Sequence, residues 1–162
     1  MPLWLVYHPP GTFEDEASKE AFSADVVRKI YHCAVGLPKF YVVVNFIKVP
    51  RDCTYVGGKK IADDAPPFIR IVIDHIANKI DNVEEQYRDV CYAISAIAKP
   101  HIIDKGWNWE FHVDETERRM WMVNGYFPPP FGSEQEKLWE RENKTVPYEG
   151  MTPRFVDLKS NL

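Results

Sequence analysis

The chain writes one pattern twice, and that repeat limits its possible folds more than any other feature. A proline leads an apolar run at "PLWLVYH" and again at "PPFIRIVIDHI". A helical stretch follows each, then a second β-prone run: "KFYVVVNFIKV" in the first half, "WNWEFHVDE" in the second. Pro2 to Phe46 and Pro67 to Phe111 cover the same length of chain. Self-similarity at that period marks a supersecondary unit copied whole. The unit here is β-α-β. Two of them, each with a right-handed crossover, predict an α+β (α/β) fold: a four-stranded sheet with two helices on one face.

Local signals place the elements. Thr12 is expected to cap the first helix, with Asp15 three residues on, and Glu14, Asp15 and Glu16 suit the positive end of its dipole. Ala21, Ala24, Val27, Tyr31 and Ala34 recur at helical spacing, and Gly36 and Pro38 end the run. Asn82 is the expected cap of the second helix, Val83, Tyr87, Val90, Ile94 and Ile97 its apolar stripe, and Lys99-Pro100 its close. In the last strand Trp107, Trp109, Phe111 and Val113 alternate with Asn108, Glu110, His112 and Asp114. "YVGGKK" reads as a glycine turn in a hairpin. Residues 1–127 are expected to form one domain, with repeats over 2–47 and 67–114. Residues 128–162 follow as a proline-rich loop, a helix capped at Ser133 with Glu136 as box partner, and a terminal arm.

Charge and composition exclude several classes. Net charge is −4, from 20 basic and 24 acidic residues with no basic block, so neither nucleic acid nor an anionic membrane is an expected partner. Runs such as "FYVVVNFI" are too short to span a bilayer, and the N-terminus lacks the basic region of a signal peptide. Three scattered cysteines without Cys-x-x-Cys spacing point to a reduced, cytoplasmic location.

Pro2 carries the sharpest chemical question. Proline lacks a backbone N–H, so the head of a strand tolerates it. Removal of Met1 would leave Pro2 as a secondary amine held in a ring, able to act as acid, base or nucleophile. Glu110, His112 and Asp114 share one strand face, but alternate strand residues lie about 7 Å apart, too far for three ligands to meet on one ion. No metal is expected, and the trio reads as a polar sheet face. Arg70 and His75 differ in parity and face opposite sides, with Asp74 or Glu110 the expected partner of Arg70. Trp4, Trp107, Trp109 and Trp121 read as core or subunit interface, and Arg118 and Arg119 as solvated or interfacial.

The proline after Met1, the fused β-α-β halves and a histidine near the end of the first helix resemble the tautomerase superfamily. "YHCAVGLPKFYVVVNF" and "YVGG" resemble its cis-3-chloroacrylic acid dehalogenase-like branch, and the later segment resembles an extension of fungal members. The resemblance implies a homotrimer. In each subunit an N-terminal proline would shuttle protons in a pocket floored by the sheet, without a cofactor. Pro2 matches the catalytic proline and His32 the helix histidine. The branch carries two arginines just after the third strand that grip a substrate carboxylate. Here Asp74, His75, Ile76, Ala77, Asn78 and Lys79 fill that stretch. The branch's water-activating glutamate falls near Val123 or Asn124 and its tyrosine near His112. Arg70, His75, His112 and Asn124 are therefore the candidate substrate contacts, and dehalogenation is not expected. The implied function is tautomerisation, hydration or decarboxylation of a small anionic carbonyl or unsaturated acid. The alternative is a non-catalytic trimeric binding or interaction protein that retains the fold.

Overall fold

Each proline-led run becomes a strand. The computed structural model describes residues 2–76 and 82–148. Its strands are β1 (Leu3–His8), β2 (Val43–Lys48), β3 (Tyr55–Val56), β4 (Lys59–Lys60), β5 (Phe68–His75) and β6 (Asn108–Glu115). β3 and β4 form the expected hairpin, with Gly57 and Gly58 at φ 59° and 77°. The other strands make a four-stranded sheet in the order β2-β1-β5-β6. β1 and β2 are parallel, as are β5 and β6, and the halves meet through the antiparallel β1–β5 pair. The repeat extends to single bonds: the Val43 N–H donates to the Pro2 carbonyl at 3.0 Å, and the Asn108 N–H to the Pro67 carbonyl at 2.8 Å.

Two helices cover one face, α1 (Glu16–Val26) and α2 (Glu84–His101). That face buries Trp4, Val6, Ile69, Ile71 and Ile73. Trp107, Trp109, Phe111 and Val113 pack against the same core, as their alternation predicted. α1 runs into a π-helical turn over Val27–His32, closed by the Cys33 N–H donating to the Arg28 carbonyl at 3.0 Å. This turn corrects the expected stripe. Ala21 and Ala24 are exposed, and the inward residues are Phe22, Val26 and Tyr31. The wider turn lets the five-residue step from Val26 to Tyr31 stay on one face, which an α-helical period does not allow.

The caps also differ from expectation. Asp15, not Thr12, caps α1, accepting from the Ser18 N–H at 2.6 Å. Thr12 is buried and donates to the Pro9 carbonyl at 2.7 Å, so its hydroxyl is already committed. Val83 occupies the N-cap of α2 without a side-chain bond, and Val83 and Tyr87 are exposed, so the inward stripe begins at Val90. Pro100 lies inside the last turn of α2, where the missing N–H costs one bond only, and the helix runs on to His101. α3 (Glu134–Glu142) is capped by Ser133 as expected, at 3.2 Å from the Glu136 N–H. The Glu136 carboxylate does not close the box. It accepts from the Gly132 N–H at 2.8 Å and from Arg118 at 2.8 Å. Trp139 of α3 is fully buried in the common core. The outer part of the expected terminal arm, residues 149–162, lies outside the described residues.

One charge cluster ties the two cover helices together. Asp25 on α1 accepts from Lys29 at 2.8 Å and Arg28 at 3.0 Å, and lies 3.1 Å from His101 Nε2 on α2. The Lys29 bond first, then those to His101 and Arg28, holds its carboxyl below the ordinary range against the opposing effect of burial. At the far end of β1, burial lowers the pKa of His8, which sits 3.1 Å from the Thr12 hydroxyl. Both groups bind protons more weakly when folded than unfolded. Their contributions are present at neutral pH and are lost on acidification: that of His8 as pH falls from its ordinary 6.5, that of Asp25 from 3.8 downward. Asp25→Asn is expected to cost about 1–3 kcal/mol at pH 7, and the difference from wild type should narrow as pH falls through about 4. Urea unfolding at several pH values measures this. A pH-independent difference would contradict it.

Candidate active site

Pro2 sits at the head of a central strand because that position asks nothing of a backbone N–H. Its ring is buried. The β1–β5 register pairs Trp4 with Ile73 and Leu3 with Asp74, so one further residue sets Pro2 opposite His75. Paired residues of an antiparallel ladder point the same way. Pro2 and His75 therefore share the helix-side face with Trp4 and Ile73. The counterpart of Pro2 in the second half, Pro67, lies within the chain and is acylated, so only the first half can present an amine.

Tyr31 completes this corner. Its ring stacks on His75, with centroids 6.0 Å apart and planes at 25°. Its hydroxyl accepts from the Trp4 indole N–H at 2.9 Å. Burial pushes the phenol up to about 12, so it stays neutral around pH 7. Sequence reading placed Tyr31 in the helical stripe and gave it no part in a site. The five-residue interval from Val26 is the signal that would have set it apart. Beside Tyr31 lies a cavity of about 400 Å3 between the π turn, α2 and the sheet. Trp4, Tyr31, Ile73, His75, Ile94 and Val113 form its inner wall. Pro2 and His32 are not among its lining side chains.

The remaining candidates make other contacts. His32 is 3.5 Å from the Leu37 carbonyl and 3.7 Å from the Glu140 carboxylate through Nδ1. Arg70 and His112 are on the opposite face of the sheet from His75, as parity predicted. Arg70 pairs with Glu110 and gives a second N–H toward His112 Nδ1 at 3.0 Å, and His112 Nε2 lies 3.1 Å from Asp114. That polar row connects β5 to β6. Asn124 adopts φ 52° in the turn closed by Val123 and Tyr126, with its amide 3.4 Å from the Thr145 hydroxyl. Arg118 spends one N–H on Glu136, whose carboxylate is 3% exposed, and Arg119 pairs with Glu117 at the surface. Ala77, Asn78 and Lys79, part of the stretch that replaces the branch's arginines, lie outside the described residues.

Comparison with known proteins supports the fold. A family model described as "Putative oxalocrotonate tautomerase enzyme" matches residues 1–144. RhCC from Rhodococcus jostii RHA1 is 37% identical with a TM-score of 0.83, over 90% of this chain and 99% of that one. A protein of Aspergillus fumigatus, described as a probable enzyme, is 35% identical with a TM-score of 0.79, over 91% and 98% of the two chains. A fused 4-OT described as a symmetric trimer shares the fold at 17% identity and a TM-score of 0.55, over 75% and 91%. No curated protein matches the sequence. The chain belongs to the tautomerase family defined by that model.

Proposed function

We propose that this tautomerase-family protein is an enzyme that transfers protons through the amine of Pro2 to and from a small carbonyl or unsaturated acid. The observation that carries the reading is that Pro2 is buried at the head of the central strand, and the β1–β5 register continued by one residue puts it opposite His75. A ring amine fixed there is pre-oriented, and a low-polarity setting keeps an amine close to the protonation boundary at neutral pH. His75 shares its face and is suited to donate to the oxygen on which enolate charge develops. His32 is the second candidate donor in this reading, with Nδ1 3.5 Å from the Leu37 carbonyl. The reaction is tautomerisation, hydration or decarboxylation, without a metal. The test is turnover of an enol acid such as phenylenolpyruvate by the natural protein against buffer, with intact mass measured on the same sample. Conversion no faster than in buffer, by a chain whose mass shows Met1 removed, would contradict the reading.

A second reading has its own observation. The cavity beside the site does not include Pro2 in its wall, which favours a binding protein that kept the fold without turnover. The same assay separates the two.

The active form is a homotrimer in this reading. β2 and β6 are edge strands of the sheet, and Leu3, Leu5, Tyr7 and Val72 on its far face are only half-buried. Unpaired edges and a partly apolar face are covered most economically by copies of the same chain. The fused 4-OT that shares this fold is described as a symmetric trimer. Sedimentation equilibrium at micromolar concentration should give about three times the chain mass, and a single species of 18.9 kDa would contradict it.

A further inference from the structure

The cavity between the two cover helices has a chemistry of its own. At about 400 Å3 it is in the range that encloses a small organic molecule. Its inner wall is carbon and aromatic ring at Trp4, Tyr31, Ile73, Ile94 and Val113, with the His75 imidazole stacked on Tyr31 beside them. Among the described residues the ammonium and carboxylate groups at the cavity are Lys29 and Asp89, one of each sign at the mouth, and Lys29 is already held by Asp25 at 2.8 Å. That pair offers no net charge to draw an acid inward. One hydroxyl of the lining residues keeps a hydrogen to donate. The Tyr31 hydroxyl accepts from Trp4, and among the described residues nothing accepts its own proton. Tyr31 is 3% exposed, so solvent satisfies that donor poorly. The wall that brings Tyr31 there is the π turn, a deviation from α-helix that recurs at functional sites.

We propose that this cavity is a binding site for a flat, uncharged aryl carbonyl compound, with its rings between the α2 and π-turn walls and its carbonyl oxygen accepting from the Tyr31 hydroxyl. Two fused rings fit the volume. The ring faces of Trp4 and Tyr31 favour an aromatic over a branched aliphatic occupant of equal size. A carbonyl matches the neutral Tyr31 donor without bringing in a charge that must be desolvated. The site borders His75 but not Pro2, and its occupancy does not depend on turnover.

The experiment is a ligand-observed NMR titration of the full-length protein with 2-acetylnaphthalene, and with 2-ethylnaphthalene as the same shape without the oxygen. Saturable binding of one ketone per chain is expected, with the hydrocarbon about 5- to 10-fold weaker. Tyr31→Phe should weaken the ketone by a similar factor and leave the hydrocarbon within about twofold. Ala93→Phe on α2 and Ala34→Phe on the facing wall each fill the cavity from an exposed position, where the fold tolerates a larger side chain. Each should weaken both ligands at least about 10-fold. Absence of saturable binding, equal affinity for ketone and hydrocarbon, or unchanged affinity in either filled variant would overturn the proposal. Since the readout is binding, loss of this proposal leaves proton transfer at Pro2 standing, and the converse holds.

Discussion

Pro2→Ala lowers the rate of phenylenolpyruvate ketonisation by about 10²-fold or more, the usual contribution of a positioned general acid-base group. Alanine keeps a free amine at the chain start but loses the ring. A primary amine differs in basicity and swings about bonds that the pyrrolidine locks. The β1–β2 ladder survives the change, because the bond at this position runs from the Val43 N–H to the carbonyl of residue 2, which alanine also supplies. A variant that retains Met1 should lose at least as much activity, since its proline nitrogen is an amide without basicity. Steady-state rates of the three forms, at matched trimer content, decide the matter. Equal rates would sink proline catalysis while leaving the fold untouched.

Trp139→Ala destabilises the protein by about 3–5 kcal/mol. Trp139 is fully buried although it lies on α3, beyond the repeated halves. Its ring meets Phe40, Tyr41 and Tyr148 at centroid distances of 6.0, 6.2 and 6.3 Å, and its indole N–H donates to the Val146 carbonyl at 2.6 Å. Truncation leaves a cavity between α3 and the segment before β2. It also strands the Val146 carbonyl. For a chain of this length the loss corresponds to a midpoint lowered by about 6–20 °C. Thermal unfolding followed by calorimetry tests it. A shift below about 3 °C would mean that α3 is an appendage rather than part of the core.

The repeat made most of the fold legible. Equal spacing of the two halves foretold two β-α-β units, and the antiparallel seam between β1 and β5 joins them. Strict alternation from Trp107 to Asp114 fixed both faces of β6, because a strand period of two leaves no ambiguity. The face of α1 was not legible. Ala21, Ala24, Val27 and Tyr31 fit a straight helix, whereas Phe22, Val26 and Tyr31 fit one that widens by a residue at its end. No composition signal announces that insertion, because it is stabilised by where Tyr31 goes: onto Trp4 and His75. Thr12 looked like a cap for the same kind of reason, since its burial beside His8 depends on how β1 leaves the sheet. At the site, parity alone put His75 and Arg70 on different faces. That His75 is the one beside Pro2 follows from the antiparallel register, which sequence spacing does not carry.

The central claim is that Pro2 is a titrating amine whose protonation governs turnover. Uniform 15N-proline labelling reports on each of the 13 prolines, and only an amine among them gains and loses a proton, with the large shift change that brings. Following those signals from about pH 4 to 10 beside the pH dependence of kcat/KM tests the claim directly. The expected result is one proline nitrogen that titrates, at the midpoint that also appears in the rate profile, and that is missing in Pro2→Ala. A set of signals that do not move with pH, or a midpoint with no counterpart in the rate, would contradict it.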